Sequence, residues 1–428
     1  MHAKHLLLAL LAITAGSPFV RLAAEESGSL LLKLEEAKFP KKEDTKPERK
    51  KFRDGLSGIA FAGDGQVMFL ACDETVDEAP SLEQLTRQSA DSYGQHQSLL
   101  ISDFIPLISS EKDEDGRIKE IDMEALAVSD DQYLWLIGSH GGNRKEAKED
   151  KKLKKNLERL ALVDEGPNRL FIGRIPLVKN ETTGVRLVAV DGKRKAGRLT
   201  DASPGWDIFS LLKNEDPLKD DEHFGRFFKR VNGAAKPVLP SKDNGFDIEG
   251  MAVVGNRVFL GLRGPVLRGM ACILEIRIKD NEDGSLKLDV LNGGFYIKHF
   301  VDLGGLGIRD LHLDTDRNNL WILSGPTMAL DGPTNLRLWK GAITTMGKEH
   351  SVTFGDKENI TEMTGQAKRW EAFIDFGTPP SRDHPEGIAL FPGPAGQPRK
   401  MVILYDGVDE NHTDGTATNA KADLLSLP

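Results

Sequence analysis

DIEGMAV, residues 247–253, places two carboxylates and a glycine ahead of an alternating apolar stretch. The phrase has near copies elsewhere: LSGIAF from Leu56, MEALAV from Met123, IRDLHL from Ile308 and PEGIAL from Pro385. Aligned on their alternation, Ile59, Leu126, Met251, Leu311 and Ile388 share one column, and Phe61, Val128, Val253, Leu313 and Leu390 share another two residues on. A period of two is that of a β-strand, whose successive side chains point to opposite faces.

Working outward, each phrase is followed by a polar turn and a second apolar run: VMFLAC, YLWLIG, VFLGLR, LWILSG and MVILYD. Turn residues between two such runs mark a β-hairpin. Third runs follow as SLLISDFIPL (98–107), RLFIGRIPLV (169–178), ACILEIRI (271–278), NLRLWKG (335–341) and ADLLSLP (422–428). In three copies a fourth run is read at RIKEID (117–122), VRLVAVD (185–191) and SLKLDV (285–290). Repeated four-stranded antiparallel units predict an all-β fold, a β-propeller, because one such sheet cannot bury both apolar faces alone.

The spacing of the column before the small residue tests this. Ser57, Glu124, Glu249, Arg309 and Glu386 are separated by 67, 125, 60 and 77 residues. The long interval holds either a degenerate sixth blade or an insertion. Since Phe171 to Asp191 supplies the outer strands of the second unit, an insertion is expected, leaving five recognisable blades with six possible. Residues 205–231 read as helical with a proline break, and 143–159 as a charged surface helix with Glu and Lys at i,i+4 spacing. The last unit lacks a fourth strand, which SLLLKLEE (29–36) can supply, closing the ring and removing exposed sheet edges.

Composition sets the remaining bounds. The chain has 428 residues, 39% of them hydrophobic, ample for a core without staples. Its opening, MHAKHLLLALLAITAGSPFVRLAAEE, has the layout of a secretory signal peptide over residues 1–24, so export to the periplasm or beyond is expected, with 25–428 as one propeller domain. No later segment approaches a membrane span. A formal charge of −9 argues against nucleic acid as a partner. The two cysteines, Cys72 and Cys272, lie far apart, form no zinc or redox motif and read as buried small hydrophobes.

In a propeller the innermost strands line a channel, and the recurring phrase sits where each begins. Glu124, Glu249 and Glu386 would then converge on one axis, with Asp122, Asp247 and His384 two positions earlier. Oxygen ligands around such a mouth suit a hard cation such as Ca²⁺. The alternative is structural: Glu249 accepts backbone N–H bonds and ties one blade to the next. At the ends of the second strands stand Asp73, Glu74, Ser139, His140, Arg263, Ser324 and Asp406. Arg263, Arg268 and Arg309 form a candidate anion-binding cluster, His140 and His384 are candidate acids or bases, and Arg263 or Arg309 is a candidate to stabilise a developing oxyanion. No GxSxG, HExxH, phosphate-binding GxxxxGK[ST] or helix-opening GxGxxG is present.

At GLSGIAF, DIEGMAV, VFLGLRGPVLRGMA, GLGIRDL and HPEGIAL the chain resembles the bacterial family called domain of unknown function 3616, from about Phe52 to Gly407. The resemblance implies a propeller-like fold and brings no catalytic residues. More distantly, the E-G-[IM]-A phrase is similar to exported phytase-like esterase and calcium-dependent lactonase propellers, which implies acids binding Ca²⁺ at the channel mouth. Only Glu124, Glu249 and Glu386 match by position; Ser57 and Arg309 depart. Two functions stand open: a metal-assisted hydrolase of a small ester, lactone or phosphoester, or a non-catalytic propeller of the cell envelope that binds a small-molecule or envelope ligand or a protein.

Overall fold

Alternation along single strands builds this molecule. In the strand Tyr133–Gly138 of the computed structural model, Leu134 and Leu136 enter one apolar cluster while Tyr133, Trp135 and Ile137 enter another. Every inner sheet is thus apolar on both faces and must be sandwiched. The structure describes residues 25–38, 51–113, 115–164, 166–200, 222–231, 234–237, 239–291, 294–328, 333–354, 360–366, 384–393, 399–408 and 412–427.

Five antiparallel four-stranded units are traced among them. The first comprises Leu56–Ala62, Val67–Cys72, Ser81–Arg87 and Ser92–Leu100. Met123–Val128, Tyr133–Gly138, Ile172–Asn180 and Gly184–Leu187 make the second. The third is Asp247–Val254, Arg257–Gly264, Met270–Asp280 and Tyr296–Asp302. Gly307–Asp314, Asn319–Gly325, Thr334–Lys340 and Ile360–Gln366 form the fourth. The fifth takes His384–Phe391, Lys400–Asp406 and Ala420–Ser426 from the end of the chain and Glu25–Leu32 from its beginning.

The N-terminal strand therefore completes the last unit, with Leu30 and Leu32 fully buried. Its end also pairs in parallel with Ser92 and Tyr93 of the first unit, so the two units hydrogen-bond across the closure. One apolar cluster lies between each pair of neighbours, including fifth and first, where Ile59 and Leu70 share a cluster with Val402 and Leu404. Innermost strands touch in sequence and the last touches the first. The architecture is all-β and propeller-like.

Close approach at the axis explains the small residue of the phrase. A Cβ on Gly58 would lie 2.9 Å from the Ala125 Cα, and one on Gly250 would lie 3.0 Å from the Leu311 N, each in the next unit. Asp310, in the same column, instead accepts N–H bonds from Leu311 at 2.7 Å and from Ile388 of the fifth unit at 2.8 Å.

Several expectations need correction. In the first unit SLLISDFIPL is not the third strand: Ser81–Arg87 holds that place, and Ile101–Asp103 is a 3₁₀ turn. Buried Glu83 and Gln84 broke the apolar run that would have revealed it. RIKEID contributes only the bridge of Ile118 to Lys112. SLKLDV pairs with the far end of the eleven-residue strand Met270–Asp280, whose near end is taken by Tyr296–Asp302. Of 205–231, residues 205–221 lie outside the described residues; Gly225–Phe227 is a 3₁₀ turn leading into the strand Phe228–Val231, paired with Ala234–Pro237, rather than a helix. There Phe224, Phe227 and Phe228 bury themselves against the second and third units, and tertiary packing overrides the helical composition. Of 143–159, only the end is helical, as part of Leu153–Ala161. The expected leader, residues 1–24, lies outside the described residues. Cys72 and Cys272 are both buried.

Replacing Gly58 by alanine is expected to cost about 1–3 kcal/mol in urea unfolding, because the methyl meets backbone that cannot give. Gly393→Ala, where the new methyl meets nothing within 4 Å, should stay within about 0.5 kcal/mol.

Candidate functional site

All five phrases carry the same irregularity. The pairing of inner and second strands slips between Leu56 and Gly58, Met123 and Ala125, Ile248 and Gly250, Ile308 and Asp310, and Pro385 and Gly387. The residue passed over is Ser57, Glu124, Glu249, Arg309 or Glu386. A β-bulge leaves its extra residue unpaired and re-aims the side chain. Here it turns all five into one cavity of about 270 Å³ at the channel mouth.

Eight carboxylates line that cavity: Asp73, Asp122, Glu124, Glu146, Asp247, Glu249, Glu386 and Asp406. Against them stand three cations, Lys242, Arg263 and Arg309, with His384 beside them. Arg263 donates from Nη1 to Glu249 Oε1 at 2.5 Å and lies 3.6 Å from Asp247. Arg309 reaches Glu249 Oε2 at 3.1 Å and also pairs with Glu386, so one guanidinium spans the third, fourth and fifth units. These groups are less than a tenth exposed. Burial opposes the Arg263 charge, but Glu249 and Asp247 outweigh it and raise its pKa.

Across the cavity the acids are not neutralised. Burial, then Asp122 and Glu249, pushes the Glu124 carboxyl well above the usual range. Burial, then Asp406 and Asp122, does the same to Asp73. Asp247 is raised to about 7 by burial and then Glu249, and Asp406 to about 7 by burial, with Arg309 and Lys242 pulling the other way. Asp73 Oδ1 and Asp406 Oδ1 are buried with no hydrogen-bond partner. The mouth is a buried, acid-rich site with a neutralised side and a strained side.

Sequence reasoning placed some candidates here and others not. Glu124, Glu249, Glu386, Arg263, Arg309 and His384 line the cavity; Arg268 is exposed in the turn from Leu267 to Met270 and does not. His140 is buried outside it, its Nδ1 2.9 Å from the Gly138 carbonyl and its pKa lowered to about 4 by burial. As a candidate acid or base it stands outside the cavity lining. Side chain to backbone ties between units are made by Asp310 and by Ser57, whose hydroxyl donates to the Met123 carbonyl, while Glu249 reaches the fourth unit through the Arg309 guanidinium. Asn143, Glu146, Lys242, Pro326 and Met328 complete the lining from loops that carry no repeat signal.

Glu124, Glu249 and Glu386 do not fit as a calcium ligand set. Arg309 holds two of the three, and among the described residues no three Asp, Glu, His or Cys side chains are grouped to hold a metal. The oxygen chemistry is that of a hard cation, but the free donors are Glu124, Asp73 and Asp406.

Carboxyls with raised native pKa are more protonated folded than unfolded, so their penalty is full above the native value and falls away as pH drops toward the unfolded range. From Asp247 and Asp406, melting temperature is expected to rise by a few degrees between about pH 8 and about pH 5, and Asp406→Asn to flatten that rise. Arg309→Met strands Glu386 as a buried uncompensated charge and should cost about 3–5 kcal/mol at neutral pH in denaturant titration.

The chain is similar to solved structures at low level. "Structure of U3-55K" and "Crystal structure of RRP9 WD40 repeats" each share 9% identity over 89% of this chain, covering 97% and 96% of their own, at TM-scores of 0.33. "Crystal structure of glucose dehydrogenase" matches 64% of this chain and 80% of its own at 11% identity and a TM-score of 0.28. Likeness at that level carries no argument. No curated protein matches the chain. Residues 55–423 match the family described as protein of unknown function DUF3616, and the chain belongs to that family.

Proposed function

We propose that the protein is an exported, five-bladed β-propeller that binds a small positively charged ligand at its channel mouth. The observation that carries this is the charge imbalance of the cavity: Arg263 and Arg309 pair with Glu249, Asp247 and Glu386, while Glu124 and Asp73 sit among other acids and Asp406 is only partly relieved by Arg309 and Lys242. Like charges held together in a buried site are relieved by protons or by a cation, and the second gives a binding energy. A divalent ion, or the ammonium of an organic molecule, would sit against the Asp73 and Asp406 oxygens that have no hydrogen-bond partner.

Of the two functions open from sequence, the geometry favours binding. The hydrolytic reading asks Glu249 and Glu386 to hold a metal while Arg309 holds them, and asks His140 to act from outside the cavity. It also asks Arg263 and Arg309 to stabilise an oxyanion, although carboxylates already occupy both guanidinium groups.

Thermal melting with calcium, magnesium and tetramethylammonium chlorides tests the reading. A ligand at a hundred times its Kd contributes about 2.7 kcal/mol to native stability. The expected result is a rise with at least one cation at neutral pH, shrinking as pH falls below about 7 and abolished in Asp73→Asn/Glu124→Gln. No rise with any cation, an equal rise in the double variant, or a larger rise with sodium phosphate would contradict it.

A further inference from the structure

The segment between the second and third strands of the second unit projects as an arm. Its base is a two-residue ladder, Asn143–Arg144 against Val163–Asp164, and Arg144 anchors it to Asp243 at 2.6 Å. It sits at the channel mouth, since Asn143 and Glu146 line the cavity. At its tip lies the helix Leu153–Ala161, none of whose residues is buried.

That helix is turned the opposite way from one in a globular core. Its polar side grips the arm: Asn156 donates to the Lys148 carbonyl at 2.9 Å and accepts from the Lys148 N–H at 2.9 Å, and Arg159 donates to the Glu146 carbonyl at 2.6 Å. Leu153, Leu157 and Leu160, at i, i+4 and i+7, form the opposite stripe and are 76%, 58% and 42% exposed. Leu162 and Val163 extend it beyond the helix, also exposed. Amphipathic helices ordinarily bury such a stripe.

Charge says what would cover it. Lys151, Lys152, Lys154 and Lys155 are all exposed around the leucines, and with Arg159 they outnumber the two acids beside them, Asp150 and Glu158, which pair with Lys151 and Lys155, in a chain whose formal charge is −9. Leucines on one face flanked by lysines whose stems reach outward are the physical requirements for lying in an anionic lipid surface, with the apolar face among acyl chains and the ammonium groups at phosphates. Among the described residues no helix is long and apolar enough to cross a membrane, so the contact is peripheral.

We propose that the arm docks the protein on an anionic lipid surface through Leu153, Leu157 and Leu160, bringing the channel mouth beside the membrane. The claim is independent of what the cavity binds.

The test is flotation of the full chain with vesicles of equal parts phosphatidylcholine and phosphatidylglycerol, and with phosphatidylcholine alone. Binding is expected to the mixed vesicles, weaker by roughly tenfold or more on phosphatidylcholine alone or in strong salt. The variant Leu153→Ser/Leu157→Ser/Leu160→Ser should lose roughly tenfold or more with an unchanged melting temperature, since its side chains are exposed. Lys151→Glu/Lys154→Glu/Lys155→Glu, altering only exposed positions, should lose the anionic preference even if the serine variant is poorly folded. Absence of binding, equal binding to both vesicles, or undiminished binding by either folded variant would overturn the proposal. So would self-association abolished by the serines without any vesicle binding, which would assign the stripe to a second copy of the chain.

Discussion

Inner strands meeting around one axis leave little room at the glycines where they touch, and the rest of the structure follows from that crowding. Gly58, Ala125, Gly250 and Gly387 fill the tight column; the Cβ distances at Gly58 and Gly250 show that backbone meets backbone between units. The residue before each is displaced into a bulge. One local device, repeated in every unit, therefore closes the ring and furnishes its mouth with functional groups.

The consequence is electrostatic. Bulges that aim Glu into the axis in three units concentrate negative charge where water is scarce, and the fold compensates part of it by placing Arg in the fourth. Arg309 is thus less a departure from a ring of acids than the member that lets the ring fold, since it pairs with Glu249 and Glu386 at once. Removing one partner from such a buried network strands the others. Among the described residues the least compensated acids are Glu124 and Asp73, with Asp406 partly relieved by Arg309 and Lys242, on the side contributed by the first, second and fifth units.

Much of this was legible in the sequence because period-two alternation and the repeated phrase are local signals. They located the inner and second strands of every unit, the closure by residues 29–36 and the bulge column. Ser81–Arg87 escaped because a strand near a buried polar network need not be apolar: Glu83 is fully buried yet bonded to Ser81, His96 and Ser98. The fourth unit's last strand, Ile360–Gln366, is rich in Thr and Glu and escaped likewise. At the site, the column showed which residues point inward but not which pair, since Arg309 and Glu386 lie 77 residues apart and only the closed ring brings them into contact. Lys242, Asn143 and Met328 came from loops whose placement depends on tertiary packing alone.

The central claim is that separate units force carboxylates together at a shared, partly neutralised mouth. Carboxyl ¹³C NMR with assigned aspartate and glutamate resonances, followed through a pH titration, tests it most directly. The account predicts that Asp247 and Asp406 titrate near about 7, that Glu124 and Asp73 titrate well above ordinary carboxylates, and that Asp406→Asn shifts Asp73 downward. If all four instead titrate independently in the ordinary range of about 3.5 to 4.5, the acids do not share a buried cavity and the account is wrong.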